Sequence, residues 1–166
     1  MELDGEGMKT LSTSDRISIC NLCVEAGPKT GLMEVDDIAL DYLRAHGREP
    51  KACFSSDPDA VFSAVYDIDL GSIVPIVAKP HFVDNVCPAG EAAGTRIDEA
   101  FLGSCNNGRI EDLRVGAALL KGRKVHHLVR FLVVPARQAV SQEALKEGLI
   151  QTFSDDAHIL LTTTCT

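Results

Sequence analysis

The sequence predicts an α/β protein: a three-layer α/β/α arrangement with a short, mainly parallel sheet over residues 91–166, and a more helical lobe over residues 1–90. Three observations predict it. After Thr95, strand-like and helix-like runs alternate as β-α-β-α-β, with helical runs of roughly 10–15 residues, which implies crossover connections and parallel strands. Before it, two segments carry apolar residues at helical spacing. Between about Pro75 and Gly94 runs a proline- and glycine-punctuated stretch in which a boundary belongs.

Residues 1–14 read as an irregular lead-in, with Ser14 or Asp15 as the cap of the first helix. From Arg16 to Ala26, apolar residues at 17, 19, 20, 23, 24 and 26 fit a mostly buried helix that Gly27-Pro28 breaks. A short extended piece, GLMEV, follows. The run DDIALDYLRAH (36–46) is helical, with acids leading and Arg/His trailing as the helix dipole prefers, and Gly47 closes it. AVYDIDL (64–70) alternates like a strand. Beyond the boundary, DEAFLG, VRFLVVP and AHILLT read as strands, and GRIEDLRVGAALLKG and SQEALKEGLIQTF as helices.

Composition limits the function. Hydrophobic residues make up 45% and charged residues 24%, an ordinary globular balance. A net charge of −8 argues against nucleic acid, which selects a surplus of Lys and Arg, but leaves room for a small anionic substrate in a locally positive site. No apolar run approaches the ~20 residues that span a bilayer, and the acidic start MELDGEGMKT is no signal peptide. A cytoplasmic setting is expected, in which six irregularly spaced cysteines read as thiols or metal ligands rather than a disulfide framework.

The stretch FLGSCNNGR (101–109) places one thiol, Cys105, where a strand gives way to a helix. In a parallel sheet the chemistry sits beyond the carboxyl ends of the strands. The three strand ends carry Cys105, then Pro135-Ala136-Arg137, then Thr164-Cys165, so two cysteines are expected on one rim. A helix N-terminus behind Cys105 would favour its thiolate. From position alone, an inert turn cysteine remains the better reading. Asn107 reads as a turn residue as readily as a donor beside the thiol, and Arg109 as a solvated helix arginine as readily as a carboxylate binder. Asn21 and Glu25, four apart on one helix, present an amide and a carboxylate side by side; an exposed polar stripe is the bland alternative.

Several motifs together carry a resemblance. GSCNNGRIEDL is similar to the GSCTNGRxEDL motif of the aconitase superfamily, in particular its 3-isopropylmalate dehydratase large subunits and their homoaconitase relatives. DRISICNLCVEAGPKTGL resembles that family's RxTxxNMxxEAGAKTG segment. PHFVDNV, VRFLVVPARQAV and EALKEGLIQTF fit in the same order. The resemblance implies a hydro-lyase that isomerises a 2-hydroxy di- or tricarboxylic acid by removing and re-adding water, as in leucine biosynthesis. It implies a 4Fe-4S cluster on three cysteines, one iron staying open to the substrate. Cys105 and Cys165 would be ligands, Asn107 a donor behind them, Asn21 and Glu25 catalytic residues on the substrate side, and Arg109 a substrate binder. The expected partner is the small swivelling subunit, whose serine would serve as base.

The departures from the pattern also count. Asn106 stands where the family has threonine. Cys165 in TTTCT falls on the first cysteine of a PPGCGPCLG-like pair whose second member would lie beyond Thr166. The family's N-terminal domain and its later Arg-rich segment find no match, so the chain reads as an internal piece: the end of the second domain and the start of the third.

Cys20-Asn-Leu-Cys23 is rejected as a redox or zinc motif. It lies inside a helical run rather than at a helix start, and no second pair recurs to complete a zinc site; both cysteines are expected in the core. Cys53 and Cys87 receive no role. Two rival readings remain: a folded remnant or interaction domain without iron, and an iron or redox sensor using its thiols.

Overall fold

The computed structural model describes residues 1–156. The chain divides into two compact units, Met1–Gly94 and Thr95–Thr166, of mixed helix and strand, and each contains a short parallel pairing.

In the first unit the lead-in is more ordered than its composition suggests. Strand β1 (Glu2–Leu3) pairs in parallel with β2 (Leu32–Met33), and a 3-10 turn covers Glu6–Thr10. Helix α1 (Thr13–Leu22) starts at Ser12, not at Ser14 or Asp15. Ser12 Oγ accepts from the Asp15 N–H at 3.2 Å, and the Asp15 carboxylate accepts from the Ser12 N–H at 2.9 Å, closing a capping box. The helix tightens to 3-10 geometry over Cys23–Ala26 and stops at Gly27, whose φ of 101° suits glycine. Of its expected apolar face only Cys23 is buried; Ile17, Ile19 and Cys20 are half-buried, and Val24 and Ala26 are exposed.

The centre of this unit is an ion pair. Arg16, 5% exposed, sends Nη1 and Nη2 to the two Asp36 oxygens at 2.7 and 2.8 Å. Its Nε reaches the Leu11 carbonyl at 3.2 Å and its Nη2 the Met8 carbonyl at 2.8 Å, so the guanidinium is satisfied in burial. Asp36 also caps helix α2 (Asp37–Ala45), accepting from the Ala39 N–H at 3.1 Å. The Arg16–Asp36 pair thus ties together α1, α2 and the 3-10 turn. The Arg16 guanidinium lowers the Asp36 pKa from 3.8 to about 2, and Asp36 in turn raises that of Arg16.

The strand expected over 64–70 does not form. Val65, Tyr66 and Ile68 are exposed and make no ladder, and the chain enters a 3-10 turn at Leu70–Ser72. Alternation signals a half-buried strand only when a neighbouring edge accepts its hydrogen bonds. Strand β3 (Ile76–Ala78) then pairs antiparallel with β4 (Val86–Pro88).

In the second unit β5 (Glu99–Gly103) and β6 (Arg130–Val134) pair in parallel, with Glu99 opposite Arg130 and Gly103 opposite Val134. A single helical turn, α3 (Ser104–Asn107), separates β5 from α4 (Ile110–Leu120). The helix expected over 141–153 is two: α5 (Gln138–Lys146) and α6 (Leu149–Asp156), broken at Gly148, whose φ is 74°. Leu113, Val133 and Phe153 are fully buried and, with Ile110, Ala117, Val140 and Ala144, form the core. Each large side chain there contributes about 1.5–3 kcal/mol. The expected third strand AHILLT lies outside the described residues.

Asp36→Asn keeps a helix cap but removes the ion pair. A folded-state pKa below the unfolded one stabilises above pH ~4 and loses that stabilisation as pH falls toward 2. Urea midpoints should show the variant about 1–2 kcal/mol less stable at pH 7, after allowance for partial exposure of Asp36. The gap should narrow as pH falls to 2 and close below it; a gap constant with pH contradicts the assignment.

Candidate functional site

The turn that presents Cys105 is set by backbone crowding. Gly103 has φ 130°, and a Cβ there would overlap the Val134 carbonyl at the end of β6. A Cβ on Gly108 would lie 2.5 Å from the Val134 oxygen, 2.6 Å from the Ser104 oxygen and 2.8 Å from the Ala136 nitrogen. Only glycine fits at either position. The Ala136 N–H donates to the Gly108 carbonyl at 2.7 Å, stapling the thiol-bearing turn to the end of the neighbouring strand. Pro135, fully buried, anchors the other side.

Between the glycines, Ser104 holds φ 83°, a left-handed conformation that non-glycine residues seldom adopt. It leaves Cys105 exposed, with the Ser104 hydroxyl donating to Cys105 Sγ at 3.6 Å. Cys105 therefore sits in a one-turn helix of its own rather than at the start of α4, and that short turn offers little of the dipole expected behind it. Ser104 was not singled out by sequence reasoning; its signal was its place between an obligatory glycine and the thiol.

Arg109 caps α4, its backbone N–H donating to Asp112 Oδ2 at 3.0 Å. Its Nε is buried without a hydrogen-bond acceptor among the described residues. A buried guanidinium N–H left in that state is costly and favours an anion at the position. Asn106 is half-buried and Asn107 exposed on the same turn. Cys105, Asn107 and Arg109 are thus brought within one stretch of five residues, and Arg137, exposed, begins the loop on the adjacent strand end. Cys165 lies outside the described residues.

Asn21 and Glu25 belong to the first unit and are both exposed. The change from α to 3-10 winding at Cys23 turns Glu25 roughly 80° from Asn21 around the axis, instead of ~40° in a continuous α-helix. They share an end of the helix rather than a strict stripe.

A 4Fe-4S cluster requires several thiolates. Among the described residues no group of three His, Cys, Asp or Glu stands ready for a metal, and no disulfide engages the cysteines. Cys105 by itself fits one corner: it is outward-facing, receives an O–H donor on sulfur, and has an orphaned guanidinium N–H four residues on. No helix among the described residues is long and apolar enough to cross a membrane.

A strand-end thiol on a parallel α/β pair is the class these features define, and comparison with known families gives the class a name. The aconitase family (aconitate hydratase) profile matches residues 1–166, and the chain belongs to that family. It is 46% identical over 166 residues to the 3-isopropylmalate dehydratase large subunit of Caldicellulosiruptor saccharolyticus, covering 99% of this chain and 39% of that protein. Identity is 44% over 170 residues to the same subunit of Aquifex aeolicus, again 99% and 39%. To a probable 3-isopropylmalate dehydratase large subunit of Methanothermobacter thermautotrophicus it is 46% over 164 residues, with the same coverage. The chain spans about two-fifths of the length of these relatives.

Gly108→Ala should destabilise the second unit by about 2 kcal/mol or more through backbone overlap. Gly122→Ala, at φ 73° but with nothing within 4 Å of a new Cβ, should cost about 1 kcal/mol. Thermal unfolding of the two variants checks the order, and the reverse order contradicts the staple.

Proposed function

We propose that this chain carries the cluster-facing part of a hydro-lyase, most similar to the 3-isopropylmalate dehydratase large subunit, acting on a 2-hydroxy di- or tricarboxylic acid. The observation that carries the reading is the outward presentation of Cys105 on a glycine-enforced turn, in a chain whose whole length matches the aconitase family. In this reading residues 1–90 end a second-domain-like lobe and residues 91–166 begin a third-domain-like lobe of three layers. Cys105 and Cys165 would each hold a corner of the 4Fe-4S cluster, and a third ligand would come from outside this chain.

When bound, the cluster supplies a Lewis-acidic iron that polarises a carbon-bound hydroxyl. The chain's own residues do the rest. Arg109 offers an unspent N–H to a substrate carboxylate. Glu25 accepts a hydrogen bond from the departing hydroxyl or water, and the Asn21 amide orients the same oxygen. Asn107 donates toward the thiolates and holds their geometry. The base that removes the carbon-bound proton belongs to the small subunit, the expected partner, and leucine biosynthesis is the setting.

A second reading, an interaction domain without iron, is favoured by one observation. Large apolar side chains between residues 54 and 83 stand in solvent, Val61 97% and Phe54 and Tyr66 82% exposed, more than an isolated soluble fold leaves uncovered.

Anaerobic reconstitution with iron and sulfide separates the two. The cluster reading expects stoichiometric iron and acid-labile sulfide, a visible charge-transfer absorbance, and loss of both in Cys105→Ala and in Cys165→Ala. Iron and sulfide at background, or equal loading in Cys105→Ala, sinks it for this chain.

A further inference from the structure

Three sulfur-bearing residues, Cys20, Cys23 and Met1, lie at the end of α1. Cys20 and Cys23, three apart on one helical face, have neighbouring side chains. The Cys23 thiol contacts the Met1 thioether, Sγ to Sδ 3.6 Å. Met1 is held there by its backbone: its ammonium donates to the Thr30 carbonyl at 3.1 Å and its carbonyl accepts from the Leu32 N–H at 2.9 Å. Gly31, between those anchors, is buried; a Cβ on it would stand 2.7 Å from Cys23 Sγ and 2.9 Å from Cys20 Cα. The β1–β2 pairing therefore holds a methionine sulfur against Cys23, the second cysteine of a helical Cys-x-x-Cys, beneath a backbone roof that only glycine permits.

From this geometry we propose that Cys20, Cys23 and Met1 form a three-sulfur site for a soft monovalent d¹⁰ cation, Cu(I) or Ag(I). Two sulfurs bound at ~2.3 Å in trigonal geometry stand ~4.0 Å apart, and the Cys23–Met1 separation of 3.6 Å needs only a small opening to match it. The donor set selects the cation. Thiolate with thioether suits Cu(I), whereas Zn(II) takes a fourth ligand and prefers nitrogen, oxygen or thiolate. No group of three His, Cys, Asp or Glu offers such a set among the described residues. Cys23 is buried and Cys20 half-buried, while Met1 is 53% exposed and leaves an entry path. Burial, and the neighbouring Cys23 thiol, raise the Cys20 pKa. Binding then exchanges two thiol protons, released to solvent, for one cation, with no change of oxidation state. The site uses none of the residues given a role in the proposed function.

The test is anaerobic titration of the reduced chain with Cu(I) against bicinchoninate. The tightest equivalent should weaken at least about 100-fold in Cys20→Ser and in Cys23→Ser, beyond what loss of an outer partner costs, and should be unchanged in Cys53→Ser. The unmutated chain gives a second readout that does not depend on variant folding. With selenomethionine in place of methionine, selenium-edge absorption of the one-equivalent complex should show a selenium–copper scattering path. Tight binding indifferent to both serine variants, or an absent selenium–copper path, overturns the proposal.

Discussion

The contact between the backbones of Gly103 and Gly108 and the carbonyl end of β6 is the constraint from which the rest of the site follows. The two parallel strands finish in register, Gly103 opposite Val134, and the chain leaving β5 must turn at once without room for a side chain at either glycine. That crowding forces Ser104 into a left-handed conformation and turns Cys105 outward. Burial of Leu113, Val133 and Phe153 beneath holds the two strand ends together, so core packing is converted into the position of one sulfur atom. A turn with ordinary side chains in place of the glycines would splay the strand ends and lose the thiol's placement.

The first unit is organised by charge rather than by a large core. Arg16 is buried, and its guanidinium gathers Met8, Leu11 and Asp36 around α1. Such a network specifies one arrangement of the surrounding segments because each alternative leaves a buried cation unpaired. Asn21 and Glu25 depend on it indirectly, since the helix that carries them is positioned by Arg16 and ended by Gly27. Beyond α2, large apolar side chains such as Phe54, Val61 and Tyr66 stay exposed, in a chain that spans two-fifths of its relatives.

Much of the second unit was legible in the sequence because its signals are local. The strand ending at Gly103, the helix after Gly108 and the strand ending at Val134 are each written in periodicity and glycine placement, and all three form within a residue or two of expectation. What escaped depends on partners distant along the chain. Tyr66 and Ile68 alternate like strand residues, but alternation carries no information on whether an edge exists to receive them. Gly148 lies inside the expected helix SQEALKEGLIQTF, and only its φ of 74° shows the break. The pairing of Glu2–Leu3 with Leu32–Met33 spans thirty residues and brings Met1 to Cys23, which no local pattern announces. The motif singles out Cys105, whereas the serine that donates to its sulfur acts through geometry alone and no pattern marks it.

The central claim is that an iron–sulfur cluster docks on the turn between β5 and α4. Amide NMR of the reconstituted chain, reduced to a paramagnetic state with dithionite, tests this most directly. The account predicts that signals from Ser104 to Arg109 and from Ala136 and Arg137 broaden beyond detection, while those at the far end of α5, around Lys146, persist. Broadening centred instead on Cys20 and Cys23, or spread evenly over the second unit, would contradict it.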